Sequence, residues 1–142
     1  MRLIYLSQAF YDRYGDCPEI LKKRTRPYAC LTIRIEEMTV AIPFRHHIAH
    51  KYAFRTYGDC GLDYTKAVVI ADERYIDAGR AQIEQREFNA IKSREAQIIR
   101  EFSKYLKIYR RAMEHRDEPC YSNIIRYSSL QYFEEYILKQ KD

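Results

Sequence analysis

Apolar and polar positions alternate from Tyr28 to Ile35, with Ala29, Leu31, Ile33 and Ile35 on one side and Tyr28, Cys30, Thr32 and Arg34 on the other. That period of two predicts a half-buried strand. Glu36-Glu37 then reads as a turn and Met38 to Pro43 as the returning strand, closed by Pro43 because proline cannot donate to a ladder. Met1 to Leu6 is strand-like, and Ser7 is placed to cap a short helix through Tyr14 that Gly15 and Pro18 end. Gly58 to Asp63 reads as a turn, Lys66 to Ile70 as a buried strand, and Tyr75-Ile76 as a strand or loop.

Past Gly79 the period lengthens. A helix is expected over Ile83 to Ile91, and Ile98, Phe102, Tyr105, Tyr109 and Met113 recur at steps of three or four along a long amphipathic helix. Pro119 breaks that run, Ile124-Ile125 reads as a short strand, and Ser128 with Gln131 reads as a capping box for a terminal helix. The order of elements predicts an α+β fold, an antiparallel sheet backed by helices, in a single domain over residues 1–142.

The composition narrows the function class. With 46% hydrophobic residues, 32% charged residues, 4 Gly and 4 Pro, the chain is neither collagen-like nor low-complexity. No run approaches the roughly 20 apolar residues of a membrane helix and no signal peptide is evident, so the cytosol is the expected compartment. Cys17, Cys30, Cys60 and Cys120 form no CxxC pair, and free thiols are expected. A net charge of +5 and 14 Tyr point to a polyanionic partner with bases to stack, foremost a nucleic acid.

Chemistry concentrates between Phe44 and Tyr57, a segment without a carboxylate that holds Arg45, His46, His47, His50, Lys51, Tyr52 and Arg55. Imidazoles exchange protons near neutral pH, and adjacent cations stabilise a developing oxyanion. These are the groups that RNA cleavage without a metal requires: a base for the 2′-hydroxyl, an acid for the 5′-oxygen, and positive charge at the phosphate. His46 and His50 also have the i,i+4 spacing of paired zinc ligands, but His47 stands where HExxH has its Glu, and Arg45 and Lys51 repel a cation. No metal or cofactor is therefore expected. Lys66, at the entrance of its strand, is a candidate to position a phosphate. The run Lys22, Lys23, Arg24 and Arg26, with Tyr28 beyond it, is a candidate backbone-binding and stacking segment. Arg94, Arg100, Lys104, Lys107 and Arg111 form a candidate phosphate track along the long helix, and Lys92 just before it is a further candidate RNA contact.

Across nearly its whole length the chain resembles the toxins of type III toxin–antitoxin systems, nearest their TenpN branch and more distantly ToxN, AbiQ and CptN. The resemblance rests on Cys17-Pro18-Glu19-Ile20, Thr25-Arg26-Pro27-Tyr28, Ala41-Ile42-Pro43 through Arg45, His50-Lys51-Tyr52, Gly61 to Ile70, Glu87-Phe88-Asn89-Ala90 and Tyr127 to Ile137. It implies a strongly twisted antiparallel sheet with surrounding helices, like ToxN, Kid and MazF. It also implies an endoribonuclease that leaves 2′,3′-cyclic phosphate and 5′-hydroxyl ends without a metal. Its implied partners are cellular RNA and a small repetitive antitoxin RNA that it processes and then holds in an RNA-bridged hetero-oligomer, with no membrane. ToxN-like members carry a Thr-Ser pair and a lysine in the loop after the hairpin, where this chain has Arg45-His46. TenpN-like members keep the arginine and the His50-Lys51-Tyr52 run, so the resemblance favours Arg45, His50 and Lys51 as catalytic, with His46 and Lys66 beside them. The alternative reading is an RNA-binding regulator that turns nothing over; it needs cations and aromatics but no imidazole.

Overall fold

The computed structural model describes residues 1–22, 28–77, 79 and 81–139. It contains strands β1 (Arg2–Leu6), β2 (Ala29–Ile35), β3 (Met38–Arg45), β4 (Ala53–Tyr57), β5 (Cys60–Asp63), β6 (Val68–Val69) and β7 (Ile76–Asp77). Its helices are α1 (Gln8–Tyr14), α2 (Gln85–Ile91), α3 (Glu95–Glu114), α4 (Pro119–Arg126) and α5 (Glu134–Lys139). The strands form one open antiparallel sheet in the order β4-β5-β3-β2-β1-β7, with β6 paired to β3 beside that path. The fold is thus a mixture of α and β built on an antiparallel sheet.

The β2–β3 hairpin is the one the alternation predicts, with Ile35 opposite Met38 across Glu36-Glu37. Both turn residues have positive φ, 50° and 66°, the backbone of a two-residue turn that usually takes Asn-Gly. Arg110 of α3 grips the turn, both of its terminal nitrogens donating to the Glu36 carboxylate.

Pro43 does not close the returning strand. β3 continues to Arg45, and Pro43 sits opposite Cys30. On its other edge β3 pairs with β6 at Val40 and Ala41 and with β5 at Phe44 and Arg45. Pro43 falls between those two ladders, where a missing donor is tolerated. The expected turn over Gly58 to Asp63 shrinks to Gly58-Asp59, because Gly58 takes φ 52° and reverses the chain at once, freeing Cys60 to Asp63 to form β5. The strand expected over Lys66 to Ile70 is confined to Val68–Val69 and is preceded by a 3-10 turn over Tyr64–Lys66.

Ile124-Ile125 is helical rather than a strand. Pro119 both ends the preceding run and opens α4, since its missing N–H and fixed φ suit the first helical turn. Ser128 does cap, but it caps a 3-10 turn over Ser129–Tyr132, while Gln131 donates to the carbonyls of Ile125, Arg126 and Ser128.

The core lies between the sheet and α3, which buries Ile98, Phe102, Tyr105, Leu106, Tyr109 and Ala112 on one face. Removing each large apolar side chain from water stabilises the fold by about 1.5–3 kcal/mol. Phe10 and Tyr14 of α1 pack with Tyr75 and Phe133. Burial raises the Tyr105 and Tyr109 hydroxyls far above the ordinary tyrosine range.

Candidate active site

The loop from His46 to Tyr52 joins β3 to β4, and it is pinned from both sides. Ile48 is buried, and its amide donates to the Asp59 carbonyl at 2.9 Å. The Arg55 guanidinium reaches back from β4 to the carbonyls of Ile48 at 2.6 Å and His50 at 2.7 Å. Gly61, opposite both Arg45 and Arg55, lets the strands close up: a Cβ there would lie 2.1 Å from the Phe54 carbonyl oxygen. These contacts fix where Arg45 and His50 emerge.

Both side chains converge on Asp63, at the end of β5, whose carboxylate is fully buried. Its Oδ2 accepts from Arg45 Nη1 at 2.8 Å. Its Oδ1 accepts from the Thr65 amide at 3.0 Å and the Thr65 hydroxyl at 2.6 Å, and lies 3.0 Å from His50 Nε2. The Tyr52 amide donates to His50 Nδ1 at 3.1 Å, so the neutral ring carries its proton on Nε2, facing Asp63 and Thr65. A buried carboxylate binding a guanidinium, a ring nitrogen and a hydroxyl orients all three.

These groups open onto a cavity of about 410 Å³ lined also by Tyr52, Lys66, Tyr105, Asn123, Ile124 and Tyr127. Lys66 crosses one side, donating to Glu19 at 2.7 Å and to the Tyr127 carbonyl at 3.1 Å. The Tyr52 and Tyr105 rings lie 5.3 Å apart, and the Tyr105 hydroxyl donates to Ser128. Tyr127 stands exposed at the rim.

Of the residues singled out in the sequence, Arg45, His50, Tyr52 and Lys66 share this cavity. His46 does not: its Nδ1 lies 2.9 Å from Cys60 Sγ. Lys51 is exposed and rests 5.4 Å above the Tyr52 ring, outside the cavity lining. Arg55 is committed to the loop. Lys22 caps the end of α1 through the Gly15 and Cys17 carbonyls, and Tyr28 lines a small crevice of about 10 Å³ that shares Lys66 with this cavity. Lys92 and Arg94 are exposed between α2 and α3. Lys23, Arg24 and Arg26 lie outside the described residues.

Asp63, Thr65, Tyr105, Asn123 and Tyr127 enter the site without having been singled out. The Asp-x-Thr spacing of Asp63 and Thr65, a common turn in which a carboxylate binds the amide two residues on, was the available signal for the first two. Among the described residues, no three His, Cys, Asp or Glu side chains converge to hold a metal ion, and no helix is long and apolar enough to cross a membrane. Compared with known proteins, the chain matches no family model, no curated protein and no solved structure.

Proposed function

We propose that this protein is an endoribonuclease acting on single-stranded RNA, the toxin of a type III toxin–antitoxin pair with a ToxN-like fold. Its proposed partners are cellular RNA and a small repetitive antitoxin RNA that it cuts and then holds. The observation that carries the reading is the gathering of Arg45, His50 and Lys66 around one cavity with tyrosines at its walls. A scissile phosphate at the cationic end would contact Arg45 and Lys66. The 2′-oxygen forms a bond to phosphorus, the bond from phosphorus to the 5′-oxygen breaks, and two protons move: one off the 2′-hydroxyl, one onto the leaving 5′-oxygen. Arg45 and Lys66 stabilise the extra negative charge of the five-coordinate phosphorus; His50, the imidazole lining the cavity, gives its Nε2 proton to the leaving 5′-oxygen once it turns from Asp63, and solvent water takes the proton off the 2′-hydroxyl. His46 faces Cys60, so we assign it no step.

A second reading has its own support. Arg45 is paired with Asp63, Lys66 with Glu19, and both His50 nitrogens have partners. A cavity whose charges are all engaged suits an RNA-binding regulator that holds its ligand without turning it over. The two readings part when the protein is incubated with cellular RNA in excess EDTA. New fragments ending in 2′,3′-cyclic phosphate, falling about 100-fold or more in rate in Arg45→Ala and His50→Ala, support the nuclease. Intact RNA with tight binding supports the regulator, and cleavage that returns only with added zinc or magnesium refutes the metal-independent mechanism.

A further inference from the structure

The cavity has two chemically distinct sides. The sheet side carries the cations Arg45 and Lys66 with the His50 imidazole in the lining; the helical side, Asn123, Ile124 and Tyr127 of α4 and its end, is an apolar and aromatic wall with one exposed amide. Those three residues fall on one side of α4, a helix that buries none of its residues completely. Ile124 and Ile125 remain half-exposed, and Tyr127 is 55% exposed with the Arg126 guanidinium 5.4 Å from its ring centre. An exposed tyrosine beside a cationic pocket offers a face to a flat π-system joined to a phosphate. Among the described residues the exposed Asn123 side chain makes no hydrogen bond, as is true of Gln82, whereas the amides of Gln8, Gln85 and Gln97 each make one and that of Gln131 makes three.

From this arrangement we infer that the α4 wall is a base-reading subsite, in which an unpaired nucleobase stacks on Tyr127 while the Asn123 amide bonds its edge. The inference rests on the nuclease reading and adds to it a specificity-determining residue. A side-chain amide presents one donor beside one acceptor, which complements a base edge carrying an acceptor beside a donor. A carboxylate in its place presents acceptors only, and the base edge that matches it is guanine, whose ring N–H and amino group are adjacent donors. Phosphate held on the sheet side fixes the backbone and gives no discrimination; Asn123 supplies the discrimination.

The test titrates the four nucleoside 3′-monophosphates into the full chain and follows the Asn123 side-chain amide by NMR. One nucleotide is expected to bind about tenfold or more tighter than the weakest and to move that signal. In Asn123→Ala the four affinities should fall within about twofold of one another, and in Asn123→Asp the guanosine nucleotide should bind tightest, both variants unfolding at the parent's temperature. An unchanged preference in Asn123→Ala, or an Asn123 amide unmoved at saturating nucleotide, overturns the subsite; the nuclease reading then stands if RNA is still cut in EDTA. A protein that neither binds these nucleotides nor cuts RNA refutes both.

Discussion

Asp63→Ala removes the group that holds the site together, and its consequence follows from the contacts. The carboxylate is fully buried and accepts from Arg45, the Thr65 amide and the Thr65 hydroxyl, with His50 Nε2 close by. A buried donor left without an acceptor costs about 1–3 kcal/mol. Arg45, 31% exposed, and the half-buried Thr65 both border the cavity, so water recovers part of that loss. The expected destabilisation is about 2–4 kcal/mol, against a total of roughly 7–20 kcal/mol for a chain of this length. Arg45→Ala should itself destabilise, by about 1–3 kcal/mol, because it strands a buried carboxylate. The two changes remove the same ion pair, so the double variant should lose at least about 1 kcal/mol less than the sum of the singles. Urea unfolding of all four proteins, read at equal m-value, measures this. Losses that add to within about 0.5 kcal/mol, or a loss below about 1 kcal/mol for Asp63→Ala, would refute Asp63 as the anchor of Arg45.

Two further predictions concern the β2–β3 turn. Glu37 is exposed with φ 66°, a conformation that strains an L side chain by about 1–2 kcal/mol and suits glycine. Glu37→Gly should therefore stabilise the protein by about 0.5–1 kcal/mol in the same urea assay, after the greater freedom of glycine in the unfolded chain is counted. The hydrogen bond and charge of Arg110 hold the Glu36 carboxyl below its ordinary value of 4.5, outweighing the upward push of burial. A depressed carboxyl binds fewer protons folded than unfolded, so its contribution is present above 4.5 and is lost as the pH falls through the lower folded value. Glu36→Gln should accordingly unfold at a lower temperature than the parent at pH 7, with the gap closing at the acid end of a melting series.

What the sequence disclosed follows the range of the interactions involved. Alternation over Tyr28 to Ile35 is a local record of one buried face, and the β2–β3 hairpin appears where it predicts. The α3 stripe is another such record: Ile98, Phe102 and Tyr109 are all fully buried, or nearly so. Pairing partners are not local. Cys60 to Asp63 carries turn-forming residues, and it becomes a strand because β3 and β4 lie on either side of it. Ile124-Ile125 has strand propensity, but no sheet edge reaches it and Pro119 starts a helix. The histidine cluster shows the same limit. Arg45 and His46 are neighbours in sequence, yet successive side chains of an extended chain point to opposite faces. One therefore reaches Asp63 and the other Cys60. Sequence proximity grouped chemistry that strand geometry separates, and it gave no hint that Asn123 and Tyr127 complete the cavity.

The pairing of charges around the cavity also ranks its cations. Asp63 is fully buried behind Arg45, whose side chain is 31% exposed and lines the cavity, so this ion pair is oriented with its positive end toward the opening. The Lys66 pair has no such orientation: Glu19 and Lys66 are 20% and 15% exposed, and an approaching phosphate meets both signs together. A bound anion thus gains more from Arg45, whose partner is fixed by Thr65 and cannot swing out to oppose it. Arg45 also has donor nitrogens beyond the one bound to Asp63, in a planar fork that suits two phosphate oxygens at once. Lys66 spends two of its three N–H donors on Glu19 and the Tyr127 carbonyl, so one remains for a ligand, and the second of those bonds ties it to the end of α4. Arg45 is accordingly the preformed part of the site, and Lys66 the part whose engagement is coupled to the wall across the cavity.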